Sequence, residues 1–262
     1  MDVRDRIVVV TGGASGIGAA LARRFAEEGA AHVVVADLDE GNAEAVASEI
    51  GGSSARVDVS DGGQVAAFVD HVLARHGGID LYCSNAGVAV GGGPEAPDDG
   101  WQRSWDVNVM GHVHAARALL PHWLERGEGY LLGTVSAAGL LNHIYAMPYG
   151  ATKAAALSAM EWLAMAYGDR GVKVSALCPM GVRTPMLAGD PTGMLDPEAI
   201  SPEEVADAVV AGLGDESFLI LPHPKVATYS ERRGADHDRW LHGMRRLRRQ
   251  IDEALAAAGE GA

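Results

Sequence analysis

Residues 11–18 read Thr-Gly-Gly-Ala-Ser-Gly-Ile-Gly and join an apolar run, residues 6–11, to an alanine-rich segment. Glycines at such a turn let the backbone bend tightly and approach a pyrophosphate, while the N-terminus of the following helix presents free amide groups. A glycine-rich turn can also be an ordinary tight turn. Because this one lies between a predicted strand and a predicted helix, as a dinucleotide-binding motif requires, we predict a nucleotide site here.

Short β-branched runs alternate with longer helical segments along the chain. The runs lie at 6–11, 32–37, 55–57, 79–84, 129–136, 172–178 and 218–221, and the helical segments at 16–28, 40–50, 62–76, 101–126, 149–170 and 202–213. Ser201, Pro202 and Glu204 form a start signal for the last helix. This alternation predicts an α/β fold: a Rossmann-like, doubly wound parallel sheet of seven strands with helices on both faces.

Size and charge restrict the classes of protein to consider. The chain has 262 residues, 48% of them hydrophobic, which suits one large core. We expect one domain at residues 1–222 and a C-terminal helical tail at 223–262. No apolar run reaches the roughly 18 residues of a membrane span, and a net charge of −14 argues against a nucleic-acid partner. With no secretory signal visible, we expect a cytoplasmic protein in which Cys83 and Cys178 are buried free thiols.

Asp37 ends the second predicted strand, nineteen residues after Gly18. An acid at roughly this spacing binds the adenosine ribose hydroxyls of a dinucleotide. Its charge would repel the 2′-phosphate of NADP. Leu38 follows it and residues 11–18 contain no arginine or lysine, so the positive partner that this phosphate needs is missing. We therefore favour NAD, the alternative for Asp37 being a solvated strand-end carboxylate or a helix cap.

Tyr149 and Lys153 stand one helical turn apart, and Ser136 lies thirteen residues before Tyr149. A tyrosine hydroxyl with a pKa near 10 is a poor base at pH 7 unless its anion is stabilised. A lysine about 4 Å away would lower that pKa by up to roughly 3 units. Ser136 would hydrogen-bond the same substrate oxygen. The spacing also arises by chance, but with the nucleotide motif it predicts redox chemistry on an alcohol.

The chain resembles the short-chain dehydrogenase/reductase family from about residue 6 to residue 221. The matching positions, in order, are Gly12, Gly16, Gly18, Asp58, Val59, Asn85, Ala86, Gly87, Asn108, Ser136, Tyr149 and Lys153. Two positions depart from the family's pattern. Ser84 stands where a second asparagine is common, and Met180 separates Pro179 from Gly181.

The resemblance implies a role for each matching residue. The implied catalytic residues are Asn108, Ser136, Tyr149 and Lys153. Asn108 would interrupt its helix and hold a water, and Lys153 would also bind the nicotinamide ribose. Asp58 would contact the adenine, and Thr184 a phosphate or the carboxamide. The predicted cofactor-binding residues are Gly12, Ser15, Gly16, Ile17, Gly18, Asp37, Leu38, Asp58, Val59, Asn85, Ala86, Gly87, Tyr149, Lys153, Pro179, Gly181, Val182 and Thr184.

The segment between Ser136 and Tyr149 is mainly apolar, which suggests a pocket for a secondary alcohol or ketone with a hydrophobic body. The predicted substrate residues are Ala138, His143, Met180, Met186 and Leu187. His143 could instead be structural or solvated, and Met180 could be a core gap-filler. No cluster of His, Cys, Asp and Glu has metal-ligand spacing, so no metal site is predicted.

The tail carries seven arginines and three acids between residues 231 and 249. An apolar stripe at helical spacing accompanies them, formed by Trp240, Met244, Leu247, Ile251 and Ala254. Attachment to a membrane surface is conceivable for such a helix. We favour packing of the stripe on the protein's own substrate loop or on a neighbouring subunit, with the arginines meeting the acidic body. The family commonly forms dimers and tetramers, so a homo-oligomer is expected, a homotetramer being one form.

These patterns predict an NAD-dependent alcohol dehydrogenase or ketone reductase. Two alternatives remain open. One is an NADPH-linked carbonyl reductase, and the other is an NAD-binding regulatory protein that has lost turnover. The complete set of Asn108, Ser136, Tyr149 and Lys153 argues against the second alternative.

Overall fold

The β-rich runs pair side by side in one parallel sheet. The computed structural model describes residues 1–188 and 198–259, with side chains as far as residue 257. The strands are β1 (Ile7–Thr11), β2 (His32–Asp37), β3 (Ser53–Arg56), β4 (Leu81–Ser84), β5 (Gly129–Thr134), β6 (Val172–Leu177) and β7 (Leu219–Ile220). Their order in the sheet is β3-β2-β1-β4-β5-β6-β7. The doubly wound, seven-stranded fold predicted from the sequence is confirmed.

The helices lie between and after these strands. They are α1 (Gly16–Glu27), α2 (Glu40–Glu49), α3 (Gly62–His76), α4 (Asp98–Trp105), α5 (Gly111–Arg126), α6 (Ala137–Leu141), α7 (Met147–Tyr167), α8 (Pro185–Ala188), α9 (Pro202–Gly214), α10 (Lys225–Ala235) and α11 (His237–Gly259). One hydrophobic cluster lies on each face of the sheet. The central strands are buried on both faces, which explains their continuous valine and leucine runs.

β1 pairs with β2 on one side and with β4 on the other, so the chain reverses its direction of winding at β1. Ligands of such sheets bind at this switch point, outside the carboxyl ends of the strands. The glycine turn leaves β1 at this edge. Gly12 has a φ of +63°, and a Cβ there would lie 2.8 Å from the Ala86 Cα. A Cβ at Gly18 would collide with the Gly12 carbonyl oxygen. Both positions therefore require glycine for the close packing of turn, strand and helix.

Several predicted elements differ from the observed ones. The helix predicted at 101–126 begins earlier, at Asp98, and is interrupted by a wider π-helical turn, Asp106–Met110. Such turns disrupt regular helix spacing and are frequent at functional sites. Helix α6 was not predicted, and the strand predicted to reach residue 136 ends at Thr134. The short helix α8 was not predicted either, and residues 189–197 after it lie outside the described part of the chain.

The tail forms two helices rather than one, separated at Asp236. The side chain of Asp236 accepts a 2.9 Å hydrogen bond from the amide of Arg239 and so caps α11. Helix α10 packs on α6, where Val226 is buried against Ala137 and Leu141. Of the described helices, none combines the length and the apolarity that crossing a bilayer demands.

Candidate active site

Asn85 ties together the strand ends that surround the switch point. Its side-chain amide donates to the carbonyl oxygens of Thr11 at 3.0 Å and Gly12 at 3.2 Å, while its Oδ1 accepts from the Thr134 hydroxyl at 3.0 Å. Its main-chain amide donates to the Thr11 hydroxyl at 3.0 Å. This predicted cofactor-binding residue thus fixes the carboxyl ends of β1, β4 and β5 relative to each other.

Ser136, Tyr149 and Lys153 come together beside these strand ends. Ser136 caps the N-terminus of α6, where its Oγ accepts a 3.1 Å hydrogen bond from the Ala138 amide. Tyr149 and Lys153 lie on α7, with the lysine nitrogen 5.7 Å from the centre of the tyrosine ring. That nitrogen also donates a 2.9 Å hydrogen bond to the Thr134 carbonyl. The structure therefore groups the three predicted side chains that could act on an alcohol.

The electrostatic environment of this group differs from the expectation. Burial raises the pKa of Tyr149 above its ordinary value, and a hydrogen bond with Ser136 opposes that rise. Burial also lowers the pKa of Lys153 to about 8. The prediction that Lys153 holds the Tyr149 pKa well below 10 is therefore wrong here. Burial destabilises the charged forms of both the phenol and the amine, and this desolvation is the largest influence on each pKa.

Asn108 lies in the π-helical turn, as the predicted helix interruption requires, and is fully buried. Its Oδ1 accepts from the Val88 amide at 2.9 Å, and its Nδ2 donates to the Val88 carbonyl at 3.0 Å and to the Thr152 hydroxyl at 3.2 Å. A Cβ built on Gly87 would lie 3.3 Å from Asn108 Oδ1 and 3.4 Å from Lys153 Nζ. The side chains of Asn108 and Lys153 thus both lie next to Gly87. The amide mainly joins α7 to the segment after β4, and its water-holding role stays a prediction.

The glycine turn fits a phosphate group. Helix α1 has no acidic residue in its first turn, and within the described chain its N-cap, Ser15, makes no side-chain capping bond. The helix N-terminus therefore presents amide groups that a phosphate oxygen can accept from. Gly16 (φ +51°) lies against Thr184 at this end, because a Cβ there would be only 3.0 Å from Thr184 Cγ2.

Asp37 lies next to the same turn. Its Oδ2 accepts from the Ala14 amide and its Oδ1 from the Asp39 amide, both at 3.0 Å. Leu38 beside it is 52% exposed. In the parallel pairing of β2 and β3, Asp37 stands opposite Arg56, an exposed cation that is not among the predicted site residues. Both side chains therefore lie at the end of the site predicted to receive the adenosine.

Not every predicted cofactor-binding residue presents its side chain to this site. Val59 and Val182 are buried in the two hydrophobic clusters, so only their main chains can contact a ligand. The side chain of Asp58 accepts from the amide and the hydroxyl of Ser60 and organises the turn after β3. The remaining positions, Ile17, Ala86, Pro179, Gly181 and Thr184, lie on segments after β1, β4 and β6.

Some of the predicted substrate residues contact Ser136 or Tyr149, and others do not. The His143 ring meets the Tyr149 ring edge-on, with 6.0 Å between ring centres. Ala138 is buried and contributes its amide to Ser136. Met180 packs with Leu140, Tyr229 and Trp240 where α6 meets the tail. Met186 and Leu187 stand on α8, and no described contact connects them to Tyr149. The structure thus brings His143 and Ala138 to the catalytic group, whereas Met186 and Leu187 lie on the helix that follows Thr184.

Two buried histidines near the site were not among the predicted site residues. His112 places its Nδ1 2.7 Å from the Ser84 hydroxyl, and burial lowers its pKa to about 3, so the ring is neutral at pH 7. His223 accepts a hydrogen bond from the Met180 amide. The sequence signal for His223 was its position two residues after a predicted strand end. Within the described residues no group of three or more His, Cys, Asp and Glu side chains could hold a metal ion.

A glycine turn and a Ser-Tyr-Lys group at one edge of a doubly wound sheet define an α/β oxidoreductase. The family model of the short chain dehydrogenases matches residues 6–193. The chain is 37% identical over 232 residues to 1-deoxy-11-beta-hydroxypentalenate dehydrogenase of Streptomyces exfoliatus, covering 84% of each protein. It is 36% identical over 229 residues to meso-2,3-butanediol dehydrogenase of Serratia marcescens, covering 82% of this chain and 90% of that enzyme.

A solved structure shares the fold as well. It is a short chain dehydrogenase/reductase from Burkholderia phymatum in complex with NAD, with 29% identity and a TM-score of 0.82 over 91% of this chain and 96% of that one. The chain belongs to the short chain dehydrogenase family. It is therefore an oxidoreductase that acts on hydroxyl or ketone groups.

Proposed function

We propose that this protein transfers a hydride between NAD(H) and a secondary alcohol or ketone with a hydrophobic body, with Tyr149 as general acid and base. The observation that carries the proposal is the grouping of Tyr149, Ser136 and Lys153 at the sheet edge next to the glycine turn. A proton donor, a second hydrogen-bonding hydroxyl and a cation are the groups needed to polarise a carbonyl oxygen.

The cofactor would lie along the edge formed by the glycine turn, the residues after β4 and the 179–184 segment. When bound, NAD supplies the hydride acceptor for alcohol oxidation. Asn85 holds the strand ends in register beneath it. Lys153 would bind the nicotinamide ribose, while Asp37 would bind the adenosine ribose hydroxyls with acceptor capacity left over from its two main-chain bonds.

The proton steps use the pKa values of this chain's own groups. With its pKa raised by burial, Tyr149 is protonated at pH 7 and ready to donate to a ketone oxygen. In the reverse direction the phenolate takes the alcohol proton. Ser136 would hold the substrate oxygen. Because the pKa of Lys153 is about 8, its nitrogen can take up and release a proton near neutral pH and so assist proton transfer from Tyr149.

The substrate would lie against apolar surfaces. Leu140 and Met180 belong to an apolar cluster next to α6, and Met180 is the residue that separates Pro179 from Gly181. This favours a hydrophobic body on the alcohol. The related enzymes act on molecules as different as a hydroxypentalenate and a butanediol, so likeness to either does not set the size of this protein's substrate.

Arg56 supports a second candidate, an NADPH-linked carbonyl reductase. It stands opposite Asp37 on the neighbouring strand and could offer the positive charge that a 2′-phosphate needs. We favour NAD because the Asp37 carboxylate lies beside the glycine turn, where it accepts a hydrogen bond from the Ala14 amide. The ratio of kcat/KM with NADH to that with NADPH separates the candidates.

The test of the proposal is Tyr149→Phe, assayed by NADH absorbance over a panel of secondary alcohols and ketones. We expect turnover to fall about 10³-fold, the scale of a lost general acid, with NADH affinity near the parent value. Tyr167→Phe, at the other end of α7, is the matched control and should retain activity. Undiminished turnover in Tyr149→Phe would remove that residue from the mechanism. Tight NADH binding without turnover of any compound by the parent protein would favour a regulatory protein.

A further inference from the structure

His223 follows β7 and contacts the turn at residues 179–181, which follows β6. The Met180 amide donates a 3.2 Å hydrogen bond to His223 Nδ1, across 43 residues of sequence. The histidine is only 4% exposed. A buried ring that accepts a main-chain hydrogen bond restrains that main chain, because breaking the bond would leave two desolvated polar groups.

The turn that His223 contacts is joined on its other side to the catalytic serine. The Pro179 carbonyl accepts a 2.8 Å hydrogen bond from the Ala137 amide, and the Ser136 hydroxyl lies 3.5 Å from the same oxygen. A continuous set of hydrogen bonds therefore runs from His223 through residues 179 and 180 to the first turn of α6.

The side chain of Met180 is held separately. It packs in the cluster formed by α6 and the tail, together with Tyr229 and Trp240, whose ring centres are 6.3 Å apart. Main chain and side chain of Met180 are thus fixed by different parts of the segment that follows β7. Neither contact involves the residues that match the family pattern.

The hydrogen bond requires one protonation state of the histidine. To accept from an amide, Nδ1 must carry no proton, so the ring proton of the neutral form is on Nε2. Burial lowers the pKa of His223, which favours this neutral form, while the Gly181 main chain and the charge of Glu204 act in the opposite direction. Nε2 is buried and makes no well-formed hydrogen bond with any described residue.

We propose that His223 is a positioning residue of this enzyme: its Nδ1 fixes the main chain of Met180 and thereby the 179–181 turn relative to Ser136. Its effect on catalysis rests on the proposed function, whereas the hydrogen bond and its tautomer do not. The turn carries predicted cofactor and substrate residues, so its displacement alters both the transition state and cofactor binding.

Three substitutions separate this role from simple packing. His223→Asn places an oxygen at the former position of Nδ1, His223→Gln places it near Nε2, and His223→Leu offers no acceptor. We expect kcat/KM to fall about tenfold in the Gln and Leu variants, the factor for one lost buried hydrogen bond, and to stay within about threefold of the parent in the Asn variant. Equal losses in Asn and Gln would overturn the proposal.

A nitrogen-15 spectrum of the histidine side chains tests the bond without substrate or cofactor. His242 is the matched control, because its Nδ1 lies 2.9 Å from the Asp238 carbonyl and must therefore carry the proton. We expect opposite tautomers: Nε2–H at His223 and Nδ1–H at His242, each signal assigned by its loss in the corresponding Gln variant. A proton on His223 Nδ1 would refute the inference. A parent protein with no turnover would refute the proposed function and leave this spectrum decisive for His223.

Discussion

Lys153 Nζ and the carbonyl oxygen of Thr134 form a 2.9 Å hydrogen bond that joins α7 to the last residue of β5. The lysine is 3% exposed, and burial lowers its pKa from 10.5 to about 8. One side chain therefore anchors the helix that carries Tyr149 and also titrates close to neutral pH. Both properties follow from placing a flexible amine beneath the strand ends.

Lys153→Met should change how the free energy of unfolding depends on pH. Between the folded pKa of about 8 and the unfolded value near 10.5, the folded chain binds fewer protons at this site than the unfolded chain does. Stability from this group therefore rises with pH across that window. Between about pH 7.5 and 9.5 we expect the free energy of unfolding of the parent to rise by about 2 kcal/mol relative to that of the variant.

Urea unfolding at several pH values measures this difference. Lys173→Met, at an exposed lysine paired with Glu216, is the control and should show no such gain. A parent and Lys153→Met variant with parallel stability curves would mean that Lys153 keeps its ordinary pKa.

The sheet could be predicted because buried parallel strands leave continuous β-branched runs, and the start of α9 because its capping box at Ser201 and Glu204 is local. Helix α6 has only five residues, too few to show a hydrophobic period. His223 acts on Met180 from 43 residues away, and no local pattern reports such a contact. The pKa of Tyr149 depends on burial, which spacing to Lys153 does not reveal.

Asp37→Ala should reduce the preference for NADH over NADPH. The variant removes the negative charge that would repel a 2′-phosphate and leaves Arg56 on the neighbouring strand. We expect the ratio of kcat/KM with NADH to kcat/KM with NADPH to fall about tenfold or more. Asp39→Ala, two residues on and exposed, is the matched control for general effects of lost charge. An unchanged ratio would mean that Asp37 does not lie at the adenosine ribose.

Met165→Asp should weaken the expected homo-oligomer. The second half of helix α7 leaves two large apolar side chains in solvent, with Trp162 58% and Met165 77% exposed. Exposed apolar groups of this size on one long helix are typical of a subunit interface. Light scattering after size exclusion should give a dimer or tetramer for the parent and a smaller particle for the variant. Glu161→Gln on the same helix should keep the parent mass, and a monomeric parent would exclude this interface.

The tail contacts the segment that carries His143. Tyr145 donates a 2.6 Å hydrogen bond to Asp252 Oδ1, and the Arg248 guanidinium lies 5.2 Å from the centre of the same ring. Arg248 also forms an ion pair with Asp252, four residues further along the same helix. Arg248 and Asp252 of α11 thus lie beside Tyr145, while packing of the whole apolar stripe on this segment stays a prediction.

Asp252→Ala should therefore act on the substrate rather than on the cofactor. Without Asp252, Tyr145 keeps only its 3.2 Å hydrogen bond to the Arg248 carbonyl, so the segment before Tyr149 is less restrained. We expect the KM for a bulky alcohol to change about threefold, the scale of one exposed hydrogen bond. The NADH dissociation constant should stay near the parent value, because the glycine turn lies at another strand end. Asp252→Asn keeps an acceptor oxygen and should behave like the parent. Glu253→Ala, the next residue on α11, controls for lost charge. If Asp252→Ala altered NADH affinity and KM equally, the tail would stabilise the whole site and not the substrate segment alone.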